Sequence, residues 1–151
     1  MMSNFEVRLF PDDVSIVAIG ERLLAATLPR DAWTHEAHLA ACCWLMRDRP
    51  DIAIERELPE IISAYNIASG GVNDDSQGYH ETITQVYIAA VKAHLHEEGC
   101  DMPLYVAVNK LLLSKRGGRD LPLRFYSKEL LFSVPARRTF VPPDRADLDQ
   151  I

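Results

Sequence analysis

The sequence predicts an all-α fold: one antiparallel, bundle-like domain of about five helices, residues 1–151, closed by an irregular C-terminal strap. Three observations predict it. Apolar residues recur at helical spacing in five segments, proline or glycine punctuates nearly every boundary, and hairpin signals are missing. Glu6–Phe10, EVRLF, is the one short strand candidate.

The first segment, VSIVAIGERLLAATL, follows Pro11-Asp12-Asp13 and predicts a helix over about 13–28. Asp12 or Asp13 can accept its free first-turn amides, and Gly20 is either a small helix penalty or a point of close packing. In the second, Thr34 is placed to cap a helix that ends before Pro50, with Trp33 beside it as a staple. At 100° per residue, His35, His38, Leu39, Cys42 and Met46 form one stripe, so two histidines share the apolar face. The third, from Asp51 to Gly70-Gly71, buries Ile54, Leu58, Ile61, Ile62 and Tyr65. Pro59 there either kinks one helix or starts a second. GGVNDDSQG is a loop, and a fourth helix spans about 79–98 and stops at Gly99. A fifth covers about 103–114 with Pro103 at its start. Ser127 is placed to cap a short helix through Leu131, and the remaining C-terminal chain reads as a tail on the surface.

Composition narrows the function. The 151 residues are 48% hydrophobic and 25% charged, enough apolar material for a core. Sixteen Lys and Arg against 22 Asp and Glu give a formal charge of -6, which argues against nucleic acid and acidic membranes as partners. Cys42, Cys43 and Cys100 make no disulfide framework, and no secretory leader or 18-residue apolar run is visible. These features lead to the expectation of a soluble, cytoplasmic domain. A homodimer is the base-rate expectation for its assembly.

The chemistry-bearing residues fall in three stretches. His35 and His38, one turn apart, can reach a common point, and His80 at the start of the fourth helix is the natural third metal ligand. Glu81 would be the fourth ligand or the base for metal-bound water. The expected centre is thus a divalent metal ion, zinc among the candidates, on which the three imidazoles converge. THEAH is not HExxH, so peptidase chemistry does not follow. His94 and His96 point to different sides of their helix and suit its C-terminal end. Tyr65 and Asn66, with Asn73 in the loop, are candidates to orient a small polar ligand. Tyr126 and Ser127 offer hydroxyls, while Arg124 and Arg137 offer a fork for an acidic group. Gly117-Gly118, set among Lys115, Arg116, Arg119 and Arg124, resembles an anion-binding loop without a nucleotide motif.

The strings WTHEAHLAA, YNIASGGVNDDSQGYHETIT and FYSKELLFSVPARRTFVPPD resemble a family of small uncharacterised bacterial proteins with WTH–HL, YN–G–N, GYHETIT and YS–LLFS–AR segments. The resemblance covers about Trp33 to Asp144. It points to Thr34, His35, His38, Tyr65, Asn66, Asn73, Gly78, Tyr79, His80, Glu81, Thr82, Thr84, Tyr126, Ser127 and Arg137, and carries no activity with it. A looser likeness, in architecture only, is to metal-binding helical bundles of the DinB type.

The leading functional expectation is a metal-dependent enzyme for a small polar or acidic metabolite, by hydrolysis or lyase/isomerase chemistry. His35, His38 and His80 would hold the metal, Tyr65, Asn66 and Tyr126 orient substrate, and Arg137 neutralise its acid group. Two alternatives stand beside it: a metal-free binding module using the same pocket, and a structural or partner-binding helical protein.

Overall fold

A computed structural model describes residues 6–98 and 101–151, and within them the chain is helical with no strand. The Glu6–Phe10 segment forms no strand and is held where the Phe10 amide and carbonyl bond to the side-chain amide of Asn109. The expected stop at Gly99, and Cys100, lie outside the described residues.

α1 spans Asp13–Leu24, with the Asp12 carboxylate accepting from the Ser15 amide. It ends four residues before the expected Leu28. Ala26 turns left-handed (φ 56°), and the Ala26 and Thr27 amides bond to the Leu23 and Arg22 carbonyls. This is the geometry that usually recruits glycine to end a helix. The turn sends Leu28 back into the core, where its carbonyl receives the Tyr65 hydroxyl at 2.9 Å.

α2 spans His35–Asp48, and Thr34 caps it as expected, accepting from the Ala37 amide. α1 lies along it. A Cβ added to Gly20 would come 2.1 Å from Trp44, so this glycine sets how closely the two helices approach. α3 (Ile54–Ala68) runs through Pro59 without a break. Pro59 cannot donate to the carbonyl four residues back, at Glu55. The Gln85 side-chain amide donates to that carbonyl instead, at 3.0 Å. Gly70, at φ +94°, ends the helix.

α4 (Glu81–Glu98) and α5 (Leu104–Leu112) complete the main bundle. Its core is built from Ile16, Leu39, Cys43, Leu45, Val91, Val108 and Leu111, all nearly fully buried. His94 belongs to it: its ring donates to the Ala107 carbonyl at 2.8 Å, pinning α4 to α5.

The C-terminal third is not a loose surface tail. α6 (Leu121–Phe125), α7 (Lys128–Leu131) and α8 (Val134–Arg138) give eight α-helices among the described residues, and Ser127 caps α7 as expected. Leu121, Phe125, Tyr126 and Leu131 close over Val86 and Ala90 of α4 as a second core. The short helices were hidden because prolines and glycines interrupt the period before it repeats. Beyond Arg138 the chain is irregular as far as a 3-10 turn at Leu148–Gln150, and it is tied down by Tyr126 Oη donating to the Val141 carbonyl and by Ser127 bonding to Asp144.

Candidate functional site

α2, α3 and α4 enclose an open cavity of about 420 Å³. Leu39, Leu58, Ile62, Ile83 and Ile88 make its apolar wall, and Cys42 lies among them. Its polar lining is His35, His38, Thr84, Tyr87 and Arg119. Two of the three histidines singled out in the sequence therefore do meet at one place, on one face of α2.

Both rings are oriented by main chain. His35 Nε2 donates to the Gly117 carbonyl at 2.8 Å, and its ring meets Tyr87 edge-on. His38 Nδ1 donates to the Thr34 carbonyl at 2.6 Å, and its ring stacks on Trp33 with centroids 3.7 Å apart. A carbonyl only accepts, so each neutral ring is held in one tautomer: Nδ1 of His35 and Nε2 of His38 keep their lone pairs. His38 is an exposed residue of α2, but desolvation by the protein packed about its ring, opposed by the Thr34 carbonyl and aided by His35, lowers its pKa to about 4.

His80 does not line this cavity. It is 8% exposed, and both ring nitrogens are taken. Nε2 donates to the Leu131 carbonyl at 2.7 Å, while Nδ1 accepts from the Ile83 amide at 3.2 Å. His80 is thus the cap of α4 and its clamp to α7. Burial, the largest cause, holds its pKa below the usual histidine value. Among the described residues no group of three or more His, Cys, Asp or Glu side chains could hold a metal ion.

The other candidates bind structure to structure. Tyr65, 1% exposed, anchors α3 to the end of α1 through Leu28. Asn66 Nδ2 donates to Asn73 Oδ1 at 2.7 Å, and that oxygen also receives the Tyr79 amide. Asn73 Nδ2 returns to the Ser63 carbonyl. Arg137 donates to the Gly78 and Tyr79 carbonyls. Gly78, at φ +83°, leaves no room for a side chain there, since a Cβ would lie 2.1 Å from the Val72 carbonyl oxygen. The loop before α4 is therefore braced from both sides. Glu81 accepts from the Tyr79 hydroxyl at 2.6 Å. Burial foremost, then this bond, raises the phenol's pKa. Tyr126 is buried against the strap, its pKa pushed up to about 12 by burial and then by Asp144.

Nor does Gly117-Gly118 form an anion loop. Its carbonyls face the helices, taking hydrogens from His35 and, at 2.7 Å, from Tyr87. Arg116 forks onto Glu97, and Arg124 lies 4.0 Å from Asp120.

Sequence reasoning gave Glu36 and Tyr87 no role in a site, and placed Arg119 only in the basic stretch around Gly117-Gly118. Glu36 is 3% exposed, with Arg119 Nη2 3.4 Å from Oε2. It sits between the two histidines of THEAH, where a charge on a half-apolar helix was the available signal. Tyr87 was indistinguishable from its apolar neighbours Ile83 and Ala90. No family model matches the chain, and neither does any curated protein or solved structure.

Proposed function

We propose that this protein is a small-molecule-binding module whose ligand occupies the cavity between α2, α3 and α4. The observation that carries the reading is the cavity's construction. An open apolar chamber contains two imidazoles, each locked in orientation by a backbone carbonyl before any ligand arrives. Small-molecule sites have this character: mostly apolar walls with a few fixed polar groups.

The test is a fragment screen by protein NMR, following the side-chain resonances of His38 and the methyls of Ile62 and Ile88. Fragments should perturb these groups together, and the cavity-filling variant Ile62→Trp should abolish the response while remaining folded. Binding that ignores Ile62→Trp, or a screen without a single hit at these groups, would refute it.

A metal-dependent hydrolase or lyase is the second reading, favoured by the shared cavity and fixed tautomers of His35 and His38. Those two rings supply two donors, so the remaining positions would fall to water and substrate, with zinc the first ion to try. Calorimetric titration with zinc of protein purified without an affinity tag, repeated on His35→Ala, decides it.

A further inference from the structure

We infer that the ligand of this cavity is a cation, a protonated amine on a compact apolar body; the inference rests on the binding reading above and names its substrate class. The first support is the state of the hydrogens. His35 has given its N–H to Gly117, His38 to Thr34, Thr84 its hydroxyl hydrogen to the His80 carbonyl, and Tyr87 its own to Gly118. Beside the Arg119 guanidinium and the weak Cys42 thiol, the polar lining has lone pairs left to offer. Arg119 apart, such a lining matches a group rich in N–H.

The second support is charge. A neighbouring cavity of about 370 Å³ shares His35 and Arg119 with the first and is also lined by Glu36 and Asp120. The Glu36 side chain is 4% exposed, and its Oε1 has no hydrogen-bond partner. Its Oε2 meets Arg119 only at 3.4 Å, the long end of a hydrogen bond, through a guanidinium that is itself 46% exposed. Asp120 has Arg124 4.0 Å away, so the charge that this wall offers a ligand is that of Glu36, whose carboxylate is half satisfied and whose burial keeps water from screening its field. The chain's formal charge of -6 adds the same sign at long range. An ammonium lodged against this wall, its apolar body among Leu39, Leu58 and Ile88, satisfies both the lone pairs and the charge.

The probes are three molecules of one shape: benzylamine, benzyl alcohol and benzoate, each titrated into the full chain at pH 7.4 by NMR. Benzylamine is expected to bind at least tenfold more tightly than either of the others. Glu36→Gln is expected to remove most of that preference while leaving the alcohol unchanged; should it fail to fold, the comparison of the three probes on the parent protein still decides the proposal. Benzoate or the alcohol binding in the cavity as tightly as the amine would overturn the cation inference and leave the binding module standing. None of the three binding would overturn both. A preference for the amine that survives Glu36→Gln undiminished would overturn the part assigned to the Glu36 carboxylate.

Discussion

At His80, capping and clamping coincide in one ring. The residue stands immediately before α4, and its Nδ1 lone pair does for the Ile83 amide what serine or aspartate does at most helix starts. Its other nitrogen closes on Leu131, fifty-one residues away. Losing the cap costs about 1 kcal/mol, and stranding the buried Leu131 carbonyl about 1–3 kcal/mol more. His80→Ala is therefore expected to lower the urea midpoint strongly. His80→Asn, whose amide oxygen can cap but whose side chain is too short to clamp, should recover only the smaller share. An alanine variant as stable as the parent would show that the ring is dispensable. His80 was legible as a special position, because a histidine opening an apolar helix is unusual. Its role was not, since the partner that claims its second nitrogen is remote in sequence.

The helix ends show how far local sequence carries an element. α3 closes at Gly70 (φ +94°), with the Gly71 amide on the Asn66 carbonyl, and the Gly-Gly pair announces it. α1 closes in the same way at Ala26, with nothing in the sequence to mark it. Alanine in the left-handed region is strained because Cβ crowds the carbonyl, by about 1–2 kcal/mol. Ala26→Gly should thus stabilise the protein by about 0.5–1 kcal/mol once glycine's extra unfolded-state freedom is deducted. Thermal unfolding checks it, and a lower melting temperature would count against the left-handed turn. The same contrast runs through α3, which survives Pro59 because Gln85 reaches across from α4 to the carbonyl that proline abandons. Periodicity located both helices. The reason one stops early and the other continues lies in groups that periodicity does not register.

For the whole molecule, the folded state holds His38 and His80 neutral, and acid should undo this. Each has a pKa below its unfolded value near 6.5, so between those values the unfolded chain binds more protons than the native one. Their contribution is fully present above pH 6.5 and is lost as pH falls, through about 4 for His38. The paired carboxylates Asp75 and Asp144, held low first by Arg138 and by Ser127 respectively, lose their contribution only below their ordinary value of 3.8. Urea midpoints should therefore begin to fall near pH 6.5, before those carboxylates titrate, and His38→Gln should flatten the upper part of that fall. A stability curve level from pH 7 down to 4.5 would contradict it.

The all-α class, the order of the five long helices, the caps at Thr34 and Ser127, and the histidine face of α2 are all legible in local spacing. Each depends on residues within a turn or two of one another, where spacing translates directly into geometry. Packing between distant segments sets which polar residues surround the cavity and which are bonded into the frame. Tyr65, Asn66, His80, Tyr126 and Arg137 have the chemistry of site residues, yet each is consumed by backbone or side-chain partners, most of them supplied by distant segments of chain. It also decided the C-terminal third, whose short helices are too brief to show a period and persist because α4 gives them an apolar surface to bury. A buried polar group must find a partner, and which one it finds is settled by packing between segments, beyond the reach of local spacing.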